Sequence, residues 1–449
     1  WEILISEAQE RMSFAVPPEK IDEFKQLAAE RDVEVSVMGE FTDNGKFHML
    51  YNGETVAYLD IEFMHDGLPK MHLKAKWQTP VFPEPQLDKQ DLGADTVKLI
   101  GALNICSDEY KARQYDHEVK GLSVLKPFAG KGRDVAADAT VTMIEPLSKD
   151  GVILASAILP RYSDIDTYHM AASCIDLAVR RVIAVGGDLR MIAGLDNFCW
   201  PDPVRSEKTP DGEYKLAQLV RANQAISDYT QKYLVPCISG KDSMKNDSTR
   251  GGRKISIPPS LLFSVISKLD DVSKAVSFDA KQAGDIVYVI GLTKPELGGS
   301  EYFNMLGFTG NNVPKVDGDL TLDICNRVSK ATAAELVNSL ITPALGGIGI
   351  ALVKSAMAGR LGMEIDLDKI PCENCSAIEA WFSESNSRFI ATVPEKNRAA
   401  FEAIMDGCVF AEIGKVTSSE YLKVTGRGVG CTLELDALLS SYKTTLDHV

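Results

Sequence analysis

The two ends of this chain carry nearly the same eight-residue pattern, which indicates an internal duplication. Residues 5–12 read ISEAQERM and residues 382–389 read FSESNSRF. An apolar run, an amphipathic stretch and further apolar runs follow each copy, and matched positions keep an offset of 375 to 377 residues. Such an offset, held over about sixty residues, is typical of a duplicated unit. Each copy predicts a strand, a helix, a strand, a turn and a strand.

The repeat divides the chain into four predicted parts. Residues 1–66 match the tail of the second copy, so we expect them to end a first copy whose front part is missing. Residues 67–108 carry four prolines and predict a linker followed by a short helix. Residues 109–275 predict one α/β unit, and residues 276–449 predict the complete second unit. Because the pattern begins inside a predicted strand, at Trp1 rather than Met, we expect a fragment of a longer polypeptide.

The acidity of the chain excludes some classes of partner. Its formal net charge is −15 at pH 7, and such a surface repels nucleic-acid phosphates and anionic lipid. No apolar run in the sequence approaches the roughly 20 residues that span a bilayer. We therefore expect no nucleic acid and no membrane among its partners.

Nine scattered cysteines predict free thiols and a cytoplasmic protein. Two of them, Cys372 and Cys375, form a CxxC pair. A structural zinc site needs two further ligands, and the sequence contains no second CxxC and no HxxxH. A surface turn after Pro371 is therefore the favoured interpretation of this pair.

The stretch CISGKDSMKN, residues 237–246, holds side chains suited to a nucleotide. Gly240 permits close approach of the backbone, Lys241 supplies positive charge for phosphate, Asp242 is a ligand for Mg²⁺ and Ser243 offers a hydroxyl. The spacing is not that of a Walker A loop, and a surface turn explains these residues equally well. Further candidate ligands, for which strand ends or caps are the simpler interpretation, are Asp138, Asp196 and Asn197.

Six longer motifs resemble a known family. They are RQYDHEVKG (113–121), YSDIDTYHMAAS (162–173), LDNFCWPDP (195–203), SGKDSM (239–244), ELGGSEYF (296–303) and FSESNSRF (382–389). In this order they strongly resemble the phosphoribosylformylglycinamidine synthases, over essentially the whole chain. The resemblance implies an α+β fold with a duplicated aminoimidazole-ribonucleotide-synthase-like architecture. Each copy would hold an N-terminal α/β domain and a C-terminal α/β domain, with the first copy truncated.

The resemblance also implies an activity, that of an ATP-dependent C–N ligase in purine biosynthesis. Such an enzyme converts formylglycinamide ribonucleotide, ATP and glutamine-derived ammonia to formylglycinamidine ribonucleotide, ADP and phosphate, with Mg²⁺. The implied partners are the missing N-terminal half, a glutaminase domain or subunit, and the ribonucleotide substrate. The family keeps its catalytic residues in the missing half, so we expect no catalytic residue and no activity in this fragment alone.

Two alternatives to this function stay open. The chain could be a catalytically silent scaffold that docks a glutaminase partner. A kinase-like enzyme of the same superfamily, of the selenophosphate or thiamine-phosphate type, is a further alternative, but the long motifs RQYDHEV and LDNFCW argue against it.

Matching the family motifs residue by residue implies three groups of site residues. The substrate would be bound by Glu7, Ala8 and Gln9, whose counterparts in the second copy are Glu384 and Asn386. A second, non-catalytic nucleotide site would be formed by Gly240, Lys241, Ser243, Asp196 and Asn197, with Asp138 and Asp242 as ligands of Mg²⁺.

This chain departs from the family pattern at the second nucleotide site. Leu177 and Arg181 stand where the family often has Glu and Asn, and ITPALGGIG, residues 341–349, lacks the family's acidic residues. We therefore expect this site to have decayed, with Arg181 either pairing directly with phosphate or lining an empty pocket.

Overall fold

The computed structural model describes residues 2, 6–87, 91–116 and 118–447. The chain divides into two compact units, Trp1–Leu73 and Lys74–Val449. Among the described residues, no helix combines the length and the apolar character that crossing a membrane would require.

The first unit contains little regular structure. Its elements are α1 (Ile21–Glu30), β1 (Lys46–Tyr51), β2 (Glu54–Asp60) and α2 (Ile61–Asp66). Strands β1 and β2 pair as an antiparallel hairpin through Asn52 and Gly53. Both turn residues have positive φ, 50° and 85°, which is the conformation that an Asn-Gly hairpin turn favours.

The front part of the second unit is built on a six-stranded sheet. Its helices are α3 (Leu92–Ile100), α4 (Glu109–Ala112), α5 (Thr167–Ala184) and α6 (Gly212–Tyr233). Its strands are β3 (Ser123–Leu125), β4 (Phe128–Ala129), β5 (Val135–Ala136), β6 (Thr140–Met143), β7 (Gly151–Ile158), β8 (Ile192–Cys199), β9 (Cys237–Ser243), β10 (Asp247–Arg250), β11 (Arg253–Ser256) and β12 (Ser260–Leu269). The large sheet has the order β3-β6-β7-β12-β8-β9, and its pairs are antiparallel except for β8 with β9.

Helix α5 covers one face of this sheet and leaves the other face open. The side chains of β7 alternate between buried and exposed, as expected for a strand with one covered face. Leu154 and Ile158 of β7 are 52% and 48% exposed, and Ile266 of β12 is 39% exposed. Ile266 lies directly opposite Leu154 in the antiparallel pairing. We call these three residues the open face.

The back part of the second unit is built on a seven-stranded sheet in the order β14-β16-β13-β17-β15-β18-β19. Its helices are α7 (Glu301–Met305), α8 (Gly318–Ala333), α9 (Gly347–Gly359), α10 (Ala377–Phe382), α11 (Arg398–Met405) and α12 (Leu435–Thr444). Its strands are β13 (Ile286–Ile290), β14 (Ser339–Ile341), β15 (Gly362–Asp366), β16 (Phe389–Val393), β17 (Phe410–Thr417), β18 (Tyr421–Gly426) and β19 (Val429–Glu434).

The central strand of this sheet separates two hydrophobic cores. Ile286, Tyr288 and Ile290 of β13 pack into a core shared with α5 and the six-stranded sheet. Val287 and Val289 pack into a second core on the other side, with α9 and α12. Because successive side chains of a strand point to opposite faces, burial on both faces explains the continuous apolar run of β13. The α+β class predicted from the sequence is observed.

Two predicted strands of the first copy are absent from the described structure. Residues 13–16 and 33–42 correspond to β16 and β17 of the second copy, yet neither is a strand. In the second copy, β16 and β17 pair with β13, β14 and β15. The described residues of the first unit contain no counterparts of those three strands, so the ladder hydrogen bonds have no partners there. Among the described residues, the elements that form in both copies are local ones: the helices α1 and α2, which correspond to α11 and α12, and the hairpin, which corresponds to β18 and β19.

Residues 67–108 end in a short helix, as predicted, but this helix, α3, is packed against the back part of the second unit. Helix α3 buries Leu92, Leu99 and Ile100 in the second core. The indole N–H of Trp381 also donates to Thr96 Oγ1 at 2.9 Å. This segment is therefore part of the packed domain.

Candidate functional site

The predicted nucleotide-binding residues lie together at the β9 edge of the six-stranded sheet. In the parallel pairing of β8 with β9, Asp196 lies opposite Gly240 and Asn197 opposite Lys241. A Cβ atom on Gly240 would come within 3.1 Å of Asp196 Oδ1, so glycine is what lets the carboxylate lie against the backbone. Burial raises the pKa of Asp196, and the nearby carboxylate of Asp242 raises it further.

The two predicted metal ligands do not lie together. Asp138 precedes β6, whereas Asp242 is on β9, and β7, β12 and β8 lie between these two strands. At roughly 4.8 Å per strand spacing, the separation is about 19 Å. Oxygen ligands of one Mg²⁺ lie about 2.1 Å from the ion. The prediction that Asp138 and Asp242 hold the same ion is therefore wrong.

The chain itself occupies the oxygens of Asp138. Oδ2 accepts hydrogen bonds from the Thr342 N–H at 3.0 Å and the Thr342 hydroxyl at 2.8 Å. Oδ1 lies 3.9 Å from Nε of Arg181, whose Nη1 donates to the carbonyl of Ser156 at 2.5 Å. Burial lowers the pKa of the Lys354 ammonium, while the neighbouring Asp138 opposes that shift.

These surroundings do not fit a magnesium ion. Leu177 is 3% exposed and contributes no ligand atom, and Arg181 brings a positive charge. Within the described ranges, no group of three or more His, Cys, Asp or Glu side chains could hold a metal. In this arrangement the charge of Asp138 is compensated by Arg181, and its Oδ2 accepts hydrogen bonds from Thr342; decay of the second nucleotide site stays a prediction.

The substrate residues predicted in the first copy lie in an irregular segment. Glu7, Ala8 and Gln9 are exposed and belong to no strand. The strand predicted at the start of the chain therefore does not extend through Glu7 and Gln9, for the same reason that the first copy lacks its other strands.

The equivalent residues of the second copy are buried in a hydrogen-bond network. Glu384 is 3% exposed. Its Oε2 accepts from the Tyr162 hydroxyl at 2.6 Å, and its Oε1 accepts from the N–H groups of Glu301 at 3.0 Å and Gly346 at 2.8 Å. Burial raises the pKa of Glu384 to about 7, although these hydrogen bonds oppose the shift.

Two buried arginines extend the network. Arg388 donates to the carbonyls of Ser383 at 2.6 Å and Ser385 at 2.8 Å, and to Thr293 Oγ1 at 2.9 Å. Arg180 of α5 pairs with Asp176 at 2.5 Å and donates to the carbonyl of Arg388 at 3.0 Å.

Residues 382–389 therefore join the front and back parts of the second unit, because α5 belongs to the front part. Asn386 makes a further link, donating from Nδ2 to Ser173 Oγ at 2.9 Å. Nothing in the local sequence predicted Tyr162 or Arg180 as members of this network, since each contacts residues about 200 positions away.

Comparisons with known proteins agree with the motifs. The model of the AIR synthase related protein C-terminal domain matches residues 1–52 and 282–427. Phosphoribosylformylglycinamidine synthase subunit PurL of Thermococcus sibiricus is 32% identical over 416 residues, 92% of this chain and 54% of the relative. The same subunit of Methanocaldococcus jannaschii is 30% identical over 455 residues, 98% of this chain and 58% of the relative.

A solved structure shares the fold. "T. maritima PurL complexed with FGAR" aligns with a TM-score of 0.59 at 16% identity, covering 79% of this chain and 54% of that chain. This chain thus spans about half the length of the relatives it matches. The resemblance predicted from the motifs is confirmed: over nearly its whole length the chain is a homologue of PurL, a subunit of phosphoribosylformylglycinamidine synthase.

Proposed function

We propose that this chain is the part of a phosphoribosylformylglycinamidine synthase that completes the substrate site and carries a second, altered nucleotide domain. The observation that carries the proposal is the 32% identity to a PurL subunit over 92% of the chain. The reaction is the ATP-dependent exchange of the glycinamide carbonyl oxygen of formylglycinamide ribonucleotide for nitrogen, which converts that amide to an amidine and leaves the formyl group unchanged.

The proposed chemistry has two steps. The amide oxygen attacks the γ-phosphorus of ATP, ADP leaves, and the oxygen becomes part of a good leaving group. Ammonia then adds to the activated carbon and phosphate departs. Enzymes accelerate such phosphoryl transfers mainly by positioning and by stabilising charge. Glu7 and Gln9 contribute to positioning, because their carboxylate and amide can hydrogen-bond the polar groups of the ribonucleotide.

The active enzyme needs an N-terminal half as a partner for this chain. The open face, with Leu154, Ile158 and Ile266, is an apolar sheet surface of the kind that another domain covers. The relatives are nearly twice as long as this chain. We propose that a domain equivalent to their remaining residues covers the open face.

A glutaminase domain or subunit supplies ammonia in this proposal, and the enzyme works in the cytoplasm. The nine cysteines are all free, which fits a reducing compartment. ATP and ADP are the nucleotides, because related structures are described as PurL complexes with ADP and with ATP. We assign no Mg²⁺ to Asp138, since its surroundings do not fit one.

To test the proposal, this chain is tagged in the organism that produces it, and the assembly that contains it is purified through the tag. It should form formylglycinamidine ribonucleotide from formylglycinamide ribonucleotide, ATP and ammonium, whereas the recombinant chain alone should not. The double variant Glu7→Ala/Gln9→Ala should raise KM for the ribonucleotide at least about tenfold, which corresponds to about 1.4 kcal/mol. Glu23→Ala, which removes another exposed carboxylate of the first unit, is the control. An inactive wild-type assembly would contradict the proposal, and activity that is insensitive to the double variant would favour the scaffold alternative.

A further inference from the structure

The CxxC pair is a folded turn in which both cysteines pair with Thr293. Cys375 is 7% exposed and Cys372 is half-buried. The Cys375 thiol lies 3.7 Å from the carbonyl oxygen of Thr293, and Cys372 pairs with Thr293 in an isolated parallel β-bridge. Asn374 between them has a φ of +54°, a left-handed conformation that asparagine tolerates better than most residues. The Cys375 thiol also lies 3.7 Å from the carbonyl oxygen of Glu373, inside the same turn.

The surroundings give the two thiols different reactivities. Cys372 is the more exposed of the two cysteines, so a small molecule in solution reaches its sulfur first. The neighbouring Cys375 thiol and the guanidinium groups of Arg427 and Arg388 lower the pKa of Cys372, while burial opposes them. Thiolates are the reactive form of cysteine, so exposure and charge together make Cys372 the nucleophile of the pair and Cys375 its partner.

The backbone of the turn is held in place from outside. Arg427, in the turn between β18 and β19, donates from Nη1 to the carbonyl of Cys375 at 2.6 Å and from Nε to the carbonyl of Leu367 at 2.9 Å. The Thr293 carbonyl also accepts from the Glu373 N–H at 2.8 Å. The turn is therefore anchored at both ends, and the thiols stay close together.

We propose that Cys372 and Cys375 form a reversible dithiol–disulfide site that reacts with low-molecular-weight disulfides. The Cys372 thiolate attacks one sulfur of the small disulfide, whose S–S bond breaks and releases one thiolate, which takes a proton from water. Cys375 then loses its proton to water, and its thiolate attacks the Cys372 sulfur and expels the second small thiolate. The protein loses two thiol hydrogens, and the small disulfide is reduced to two thiols. Disulfides inside cells are commonly transient and redox-sensing.

Oxidation of this cysteine pair should also affect residues 382–389, the segment that joins the front and back parts of the second unit. The Thr293 carbonyl accepts from the Cys375 thiol, Thr293 pairs with Cys372 in a β-bridge, and the Thr293 hydroxyl accepts a hydrogen bond from Arg388 at 2.9 Å. Disulfide formation removes the Cys375 S–H that donates to the Thr293 carbonyl. Thr293 therefore connects the redox state of the CxxC turn to the Arg388 network.

The test treats the full chain with oxidised glutathione at pH 7, then alkylates it and maps the thiols by mass spectrometry. The peptide containing residues 372–375 should be recovered as an internal disulfide that dithiothreitol reverses. Cys237 is the internal control, because it is exposed and burial raises its pKa. Two free thiols at 372 and 375, under conditions that convert Cys237 to its mixed disulfide, would overturn the proposal.

Single variants separate the roles of the two cysteines. Cys375→Ser should trap Cys372 as a mixed disulfide with glutathione, whereas Cys372→Ser should leave Cys375 unmodified. Modification of Cys375 in Cys372→Ser, at the wild-type rate, would overturn the assignment of the nucleophile. Hydrogen exchange at residues 383–388 should be faster in oxidised than in reduced wild-type chain, and equal rates would overturn the coupling through Thr293. Melting curves of the reduced variants check that they are folded.

Discussion

The guanidinium of Arg181 lies against the carboxylate of Asp138, with Nε 3.9 Å from Oδ1, so the chain compensates this carboxylate with its own cation. Arg181 is held there by its hydrogen bond to the Ser156 carbonyl on β7. A divalent cation at the same place would meet a fixed positive charge and would find no ligand atom on Leu177. Charge compensation by an arginine needs no ion from solution.

The first prediction is that Mg²⁺ with ADP leaves the melting temperature of the wild-type chain unchanged. The variant Leu177→Glu/Arg181→Asn adds a carboxylate and an amide beside Asp138 and removes the cation. It should acquire a Mg²⁺-dependent rise in melting temperature, because a ligand at a hundredfold excess over its Kd stabilises by about 2.7 kcal/mol.

Two further variants make this comparison specific. Asp138→Asn in the double-variant background should abolish the effect of Mg²⁺. The control is Arg190→Asn, which removes an arginine whose side chain is 86% exposed. Its melting temperature should respond to Mg²⁺ with ADP as that of the wild-type chain does. Mg²⁺-dependent stabilisation of the wild-type chain that Asp138→Asn abolishes would contradict the prediction.

The second prediction concerns the buried ion pair of Asp176 and Arg180. Both side chains are at most 1% exposed, and Asp176 also accepts hydrogen bonds from Tyr233 and Thr321. Asp176→Asn leaves the Arg180 charge buried without its counter-ion, so it should lower the free energy of unfolding by about 3–5 kcal/mol in urea titrations. Asp319→Asn breaks a surface pair whose carboxylate is 85% exposed and should cost less than about 1 kcal/mol. Equal effects of the two substitutions would contradict a structural role for the buried pair.

The sequence predicted the features that depend on local patterns or on the repeat. The helix of the first copy, α1, follows from an amphipathic pattern within a few residues of the chain, whereas the hairpin turn at Asn52-Gly53 carries a local signal that the prediction did not use. The strands expected at residues 13–16 and 33–42 failed because a strand needs neighbours that residues 6–66 do not provide.

The buried network at residues 382–389 shows a different limit. Glu384 in the second copy occupies the position of Glu7, and sequence alone gives both the same role. Only the fold shows that Tyr162, far away in the chain, donates a hydrogen bond to Glu384. The motif that would bind a ligand in the first copy therefore makes a contact within the protein in the second copy. Local patterns carry no information about such a contact.

The third prediction concerns the open face of the six-stranded sheet. Leu154→Glu places a charge on a residue that is 52% exposed. In the isolated chain it should change the free energy of unfolding by less than about 1 kcal/mol. In the assembly isolated from cells it should lower the melting temperature and the synthase activity, because the covering domain would bury that charge. The control is Tyr421→Glu on the other sheet, at a residue 49% exposed. An assembly that tolerates Leu154→Glu as well as Tyr421→Glu would show that nothing covers the open face.

The fourth prediction is a pH dependence of stability that originates at Glu384. Its pKa is raised from the ordinary value of 4.5 to about 7, so between these pH values the folded chain holds a proton that the unfolded chain releases. This contribution to the free energy of unfolding is fully present below pH 4.5 and is lost as pH rises through 7. It amounts to at most about 3 kcal/mol.

The titratable groups that act on Glu384 are Tyr162, whose hydroxyl donates to it, and Glu301. Burial raises the pKa of Tyr162, so the tyrosine stays protonated throughout this range. Glu384→Gln keeps the shape of the side chain but cannot titrate. Its free energy of unfolding, measured in urea at several pH values, should therefore rise relative to wild type between pH 5 and about pH 8. Glu364→Gln, at an exposed position of β15, should leave the wild-type pH dependence unchanged. A constant difference between Glu384→Gln and wild type across that range would mean that Glu384 does not hold a proton in the folded chain.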